Sequence, residues 1–142
     1  GCNCEGIPVA NSYVLDSVDG EKLPVTRTSP GTLSQITLLE GALDRAGSAM
    51  TVRFRRRIIG PFGDTSFVEH DSTHDFDRTG DVLTLHVEDV PNTCVIAPRL
   101  RIENDGRTLR SIGATASSAC GPDVELETLI YESIENGSGS GK

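Results

Sequence analysis

The side chains best equipped for chemistry crowd into one stretch, Glu69-His70-Asp71-Ser72-Thr73-His74-Asp75-Phe76-Asp77. On a β-strand, residues 70, 72, 74 and 76 share a face, so His70 and His74 point the same way with Asp75 beside them. Imidazole and carboxylate are the donors that hold zinc or a similar divalent ion, which makes His70, His74 and Asp75 a candidate metal set. A zinc site needs further fixed ligands from elsewhere in the chain. The same residue types also make an ordinary solvated strand and turn, and both readings stand at this point. Asp75-x-Asp77-x-Thr79-Gly80 opens like a calcium loop, but His86 occupies the twelfth position, where such a loop carries a bidentate Glu.

The four cysteines, Cys2, Cys4, Cys94 and Cys120, lack the Cys-x-x-Cys pairs of a zinc knuckle or a redox helix terminus. Cys2 and Cys4 are candidates for lipidation or for disulfides, and Cys94 and Cys120 for disulfides. Either use places the chain outside the cytoplasm. A bridge from Cys94 to Cys120 closes a loop worth about 3.5 kcal/mol in the chain-entropy model. No Gly-x-Ser-x-Gly elbow is present, and Gly60-Pro61-Phe62-Gly63 is a proline-containing turn rather than a phosphate cradle. No catalytic residue and no cofactor are therefore assigned, and the expected class is non-enzymatic.

A formal net charge of -8 argues against nucleic acid as a partner, because phosphate contacts need a basic face. The basic run is Arg53, Arg55, Arg56 and Arg57. It reads either as a solvated strand face with arginine stems lying over apolar surface, or as a patch that docks lipid head groups or an acidic protein. The segment Pro91 to Pro98 reads as a long loop and a second candidate contact surface.

These residues need elements to position them, and the chain supplies β-type alternation closed repeatedly by turn chemistry. Tyr13 to Val18 reads as a first strand ending at Asp19-Gly20. Thr51 to Ile59 alternates Val52, Phe54 and Ile58 against Arg53, Arg55 and Arg57, leaving Arg56 inward, where it needs a carboxylate or a strand end. Asp81 to Asp89 reads as a strand entered through Arg78-Thr79-Gly80. Arg99 to Arg110 reads as a hairpin turning at Asn104-Asp105-Gly106 with positive φ. Leu33 to Leu43 and Leu126 to Ile134 fit both helical and strand spacing. At 142 residues the chain is one domain. The expected organisation is an arm over 1–11, a β-domain over 12–135 and a Gly/Ser tail over 136–142. The expected fold is all-β, an antiparallel up-and-down meander of about eight strands forming a barrel or strongly curved sheet. No apolar run approaches the ~20 residues that a transmembrane helix needs.

The order Y-V-L-D-S-V-D-G-E-K-L-P-V, then Q-I-T-L-L-E-G-A-L, then F-D-R-T-G-D-V-L-T-L, then L-I-Y-E resembles small lipocalin-like β-barrel lipoproteins of bacteria. The resemblance spans Tyr13 to Glu132. It implies a lipocalin-like barrel in the periplasm, secreted or membrane-associated, tethered through lipid on an N-terminal cysteine. With only 4% aromatic residues and no tryptophan, the interior is expected to be packed by Val, Leu and Ile rather than hollow. The expected function is that of a non-catalytic accessory protein docking on a partner, such as an integral membrane complex of the respiratory or photosynthetic kind. A carrier of a small lipophilic ligand in the barrel is the alternative, and a metal-binding protein or enzyme using His70 and His74 comes third.

Overall fold

The computed structural model describes residues 9–28, 31, 33–121 and 127–134. Cys2, Cys4 and the tail 136–142 lie outside the described residues, as does most of the arm. Ten strands follow one another: β1 Ser12–Val18, β2 Glu21–Lys22, β3 Val25–Thr28, β4 Gln35–Ala46, β5 Ala49–Ile59, β6 Thr65–Thr79, β7 Val82–Leu85, β8 Ile96–Glu103, β9 Thr108–Ala116 and β10 Leu129–Ser133. Each pairs antiparallel with its neighbour in the order β2-β1-β10-β9-β8-β7-β6-β5-β4-β3. A further pairing of β1 with β4 closes eight of them into a barrel, leaving β2 and β3 as short additions. The all-β meander read from the alternation is therefore the fold. Closure through β1 and β4 is partial, for among the described residues Thr65–Thr73 of β6 has a strand on one side alone.

Both ambiguous segments prove to hold strands, β4 from Gln35 and β10 from Leu129. β4 is paired with β5 from Gln35↔Ile59 to Ala46↔Ala49, so tertiary pairing overrides the helical spacing. β10 buries Leu129 and Tyr131 between β1 and β9. The turn after β8 carries positive φ at Asn104, Asp105 and Gly106, as its residue types require.

Two boundaries differ from the sequence reading. The strand expected over Asp81 to Asp89 stops at Leu85. One more hydrogen bond, from His86 N to the Asp75 carbonyl at 2.8 Å, ends the pairing, and the chain then leaves for the loop that carries Cys94. The loop expected over Pro91 to Pro98 ends at Val95. Ile96–Glu103 is β8, in which Ala97 and Pro98 are buried.

The core lies in the closed half of the barrel. Tyr13, Leu43, Met50, Leu83, Leu85, Leu100, Leu109 and Tyr131 are essentially inaccessible there. Two of the largest of these side chains are tyrosines, Tyr13 and Tyr131. At one end, Tyr13 donates its phenolic proton to the Gly106 carbonyl and accepts from the Ala10 N–H at 3.0 Å. At the other, Cys94 and Cys120 form a disulfide with a Cα–Cα distance of 4.5 Å, joining the β7–β8 loop to the segment after β9.

Candidate functional site

The sheet formed by β4, β5 and β6 sets the arginine run in a charge lattice. Register places Ala42, Arg53 and Asp71 in one row, Glu40, Arg55 and Glu69 in the next, and Thr37, Arg57 and Phe67 in the third. Arg53 lies 3.7 Å from Asp44, and Arg55 lies 3.3 Å from Glu40 and 3.9 Å from Glu69. The Arg55 guanidinium also sits 5.6 Å from the centre of the Phe67 ring. Arg53 and Arg55 are therefore paired with neighbouring carboxylates, whereas the buried Nε of Arg57 has no hydrogen-bond partner among the described residues.

A bulge at Leu39 shifts the register between Leu38↔Arg56 and Glu40↔Arg55, and Arg56 faces inward as the alternation predicts. Its partner is not a carboxylate. The guanidinium lies 5.0 Å over the Phe54 ring, and among the described residues it forms no ion pair. Deeper in the barrel, the fully buried Tyr131 hydroxyl has no hydrogen-bond partner among the described residues. Burial pushes the Tyr131 phenol well above the usual tyrosine range, against a lowering pull from the Arg56 charge.

A surface cleft of about 510 Å³ lies where β1 peels away from β4. Pairing of the two strands stops after Val14↔Ala42, and β4 continues beside β3 instead. Val14, Leu15, Leu23, Leu39 and Phe54 give the cleft apolar walls, while Glu40, Arg53, Arg55, Glu69 and Asp71 give it charged ones. Gly41 makes the close approach possible. A Cβ there would stand 2.8 Å from both Leu15 Cβ and Leu15 Cδ2.

The histidines do not form one site. On the uninterrupted β6 ladder, four residues separate their Cα atoms by about 13 Å. His74 is buried, with Nδ1 2.9 Å from the His86 carbonyl oxygen and Nε2 2.9 Å from Ser72 Oγ, so both ring nitrogens are engaged. His70 is exposed opposite Phe54, and Asp75 projects from the other face of the strand. His86 Nε2 pairs instead with Asp77 at 2.7 Å. Among the described residues, no group of three His, Cys, Asp or Glu side chains converges as an ion's ligands would.

Three exposed apolar side chains, the most exposed one among them, lie on a hairpin that sequence reasoning passed over. β5 and β6 pair without irregularity from Ala49↔Asp75 to Ile59↔Thr65, whereas β7 accompanies β6 only from Phe76 to Thr79. The β3–β6 part of the sheet therefore runs on past the last β6–β7 pair, with β6 at its outer side. Phe62 at its turn is 95% exposed, Phe67 58% and Val68 41%. The signal in the sequence was the continuous β-compatible run from Thr65 to Thr79, hidden by its polar composition.

Comparison with family models, curated proteins and solved structures finds no match to this chain.

Proposed function

We propose that this chain is a non-catalytic extracytoplasmic accessory protein that docks on a protein partner through the β5–β6 arm. The observation that carries the reading is the exposure of Phe62 and Phe67 on a regular hairpin whose outer strand, β6, has no further strand beside Thr65–Thr73 among the described residues. A phenylalanine left almost wholly in water contributes nothing to folding, whereas aromatic anchors are what interfaces bury at their centres. The Cys94–Cys120 disulfide favours an oxidising compartment such as the bacterial periplasm. An integral membrane complex is the kind of partner that suits a lipoprotein of lipocalin-like type, with lipid on Cys2 or Cys4 holding the domain near the bilayer.

The test is photo-crosslinking in the native cell with benzoyl-phenylalanine at position 62 or 67. A discrete protein adduct at these positions, missing when the crosslinker stands at exposed Asp105 on the opposite end, supports docking by the arm. Equal labelling from both ends overturns it.

One observation favours a second reading, that of a carrier. The cleft at the β1–β4 seam is in the size range of small-molecule sites and has apolar walls. It lies at the barrel's side, not in the barrel. A lipophilic compound extracted from the purified protein at near-equimolar yield, and lost on replacing Leu39 by Asp, would establish that role.

A further inference from the structure

The arm has a second property besides its apolar tip: one side of β6 has no strand beside it. The hydrogen bond from His86 N to the Asp75 carbonyl fixes which backbone groups look that way. In an antiparallel ladder, alternate residues direct both N–H and C=O to the same neighbour. Asp75 directs its carbonyl away from β5, so Thr65, Phe67, Glu69, Asp71 and Thr73 do the same with their N–H and C=O groups. Among the described residues, no strand pairs with this stretch. β6 has no proline, no bulge and no register shift against β5, so the edge is straight and continuous.

Such an edge is a template for one more strand. We infer that β6 takes up an extended segment of a basic partner, added antiparallel alongside Thr65 to Thr73. Charge selects the partner. Glu69 and Asp71 stand on the outer face of the edge, and Asp71 forms no ion pair among the described residues. Glu69 shares Arg55 with Glu40. Lysine or arginine at alternate positions of an added strand would lie directly opposite both carboxylates. Apolar residues would follow, facing Val68 on the inner side and Phe67 on the outer. A second copy fits less well over the full edge, since centring the pair on residue 69 or 70 sets Glu69 against itself or against Asp71.

This rests on the docking reading and names the partner's form, so its test uses the isolated protein and a synthetic probe. The nonapeptide T-T-K-T-K-V-Y-T-T places its lysines opposite Asp71 and Glu69. On titration, the backbone amides of Phe67, Glu69 and Asp71 are expected to gain protection from hydrogen exchange, while those of Val68 and His70, already turned toward β5, change little. N-methylation at the peptide's third, fifth and seventh residues should abolish binding, and at its fourth and sixth should leave it. The variant Glu69→Lys/Asp71→Lys should lose about tenfold in affinity for this peptide and regain it for T-T-E-T-E-V-Y-T-T. That exchange of preference also reports that the variant is folded.

Binding insensitive to which amides are methylated, or no protection at Phe67, Glu69 and Asp71, overturns the inference. So does protection of the same amides without peptide in a dimer that grows with concentration, which would assign the edge to a second copy. A partner crosslinked at position 62 with the edge amides unprotected would leave docking standing and remove strand addition. Peptide binding with no native adduct would do the reverse.

Discussion

The Tyr13 phenol donates to the Gly106 carbonyl, joining the start of the first strand to a turn 93 residues further on. The same oxygen accepts the Ala10 N–H, so one side chain satisfies two backbone groups at the end of the barrel. Tyr13→Phe keeps the ring and removes both bonds, stranding a buried carbonyl. A loss of about 1–3 kcal/mol is expected, read as a lower urea midpoint with unchanged slope. A change below about 0.5 kcal/mol would show that water replaces the phenol without cost.

At the seam, Gly41 and Leu15 are tighter than any side chain at position 41 would permit. Gly41→Ala should cost about 1–3 kcal/mol by forcing Leu15 and β1 apart. In a Leu15→Gly background, which removes both the Cβ and the Cδ2 contact, the same substitution should cost much less, and a double-mutant cycle measures the difference. Additive costs would mean that the strain lies elsewhere.

Removal of the Cys94–Cys120 bridge by paired serine substitution is expected to lower stability by about 3.5 kcal/mol, the loop-closure value for its sequence separation of 26. Reduction of the native protein should reproduce the loss in chemical denaturation. If the reduced and oxidised proteins unfold at the same midpoint, the loops hold themselves.

Tyr131 makes a prediction at high pH. Its phenol is pushed up by burial, so the folded state keeps the proton while the unfolded chain releases it near the ordinary value of about 10. The contribution is fully present below pH ~10 and falls as pH rises from there toward the raised folded pKa. The slope is at most about 1.4 kcal/mol per pH unit. Tyr131→Phe should remove that dependence, and because the hydroxyl is unpartnered it should be neutral or stabilising at pH 7. A Tyr131→Phe protein as alkali-sensitive as the parent would place the responsible group elsewhere.

What the sequence made legible follows from how locally each feature is determined. The Asn104-Asp105-Gly106 turn and the inward heading of Arg56 were readable because turn chemistry and strand parity act over a few residues. Cys94 and Cys120 were readable as disulfide candidates, but that they meet each other follows from how the β7–β8 loop lies against the segment after β9. The cleft was not readable, since it depends on where β1 parts from β4 and on one glycine's contact with Leu15. Nor was the ion pairing of Arg55, because Glu40 and Glu69 reach it only through cross-strand register. The paired histidines illustrate the opposite error: shared parity put them on one face, but the length of strand between them kept them apart.

The two ends of the barrel are each pinned by a contact distant in sequence, Tyr13 to Gly106 at one and Cys94 to Cys120 at the other, whereas β6 from Thr65 to Thr73 is laddered on one side alone, to a β5 that β4 backs as far as Gln35↔Ile59. Local opening should therefore begin at Gly60–Asp64 and travel down the arm toward Asp75, stopping where β7 joins. β6 would then peel from β5 while β4 keeps β5 in the body, and a segment captured on β6 would be released by unzipping from the tip, with no part of the barrel having to loosen.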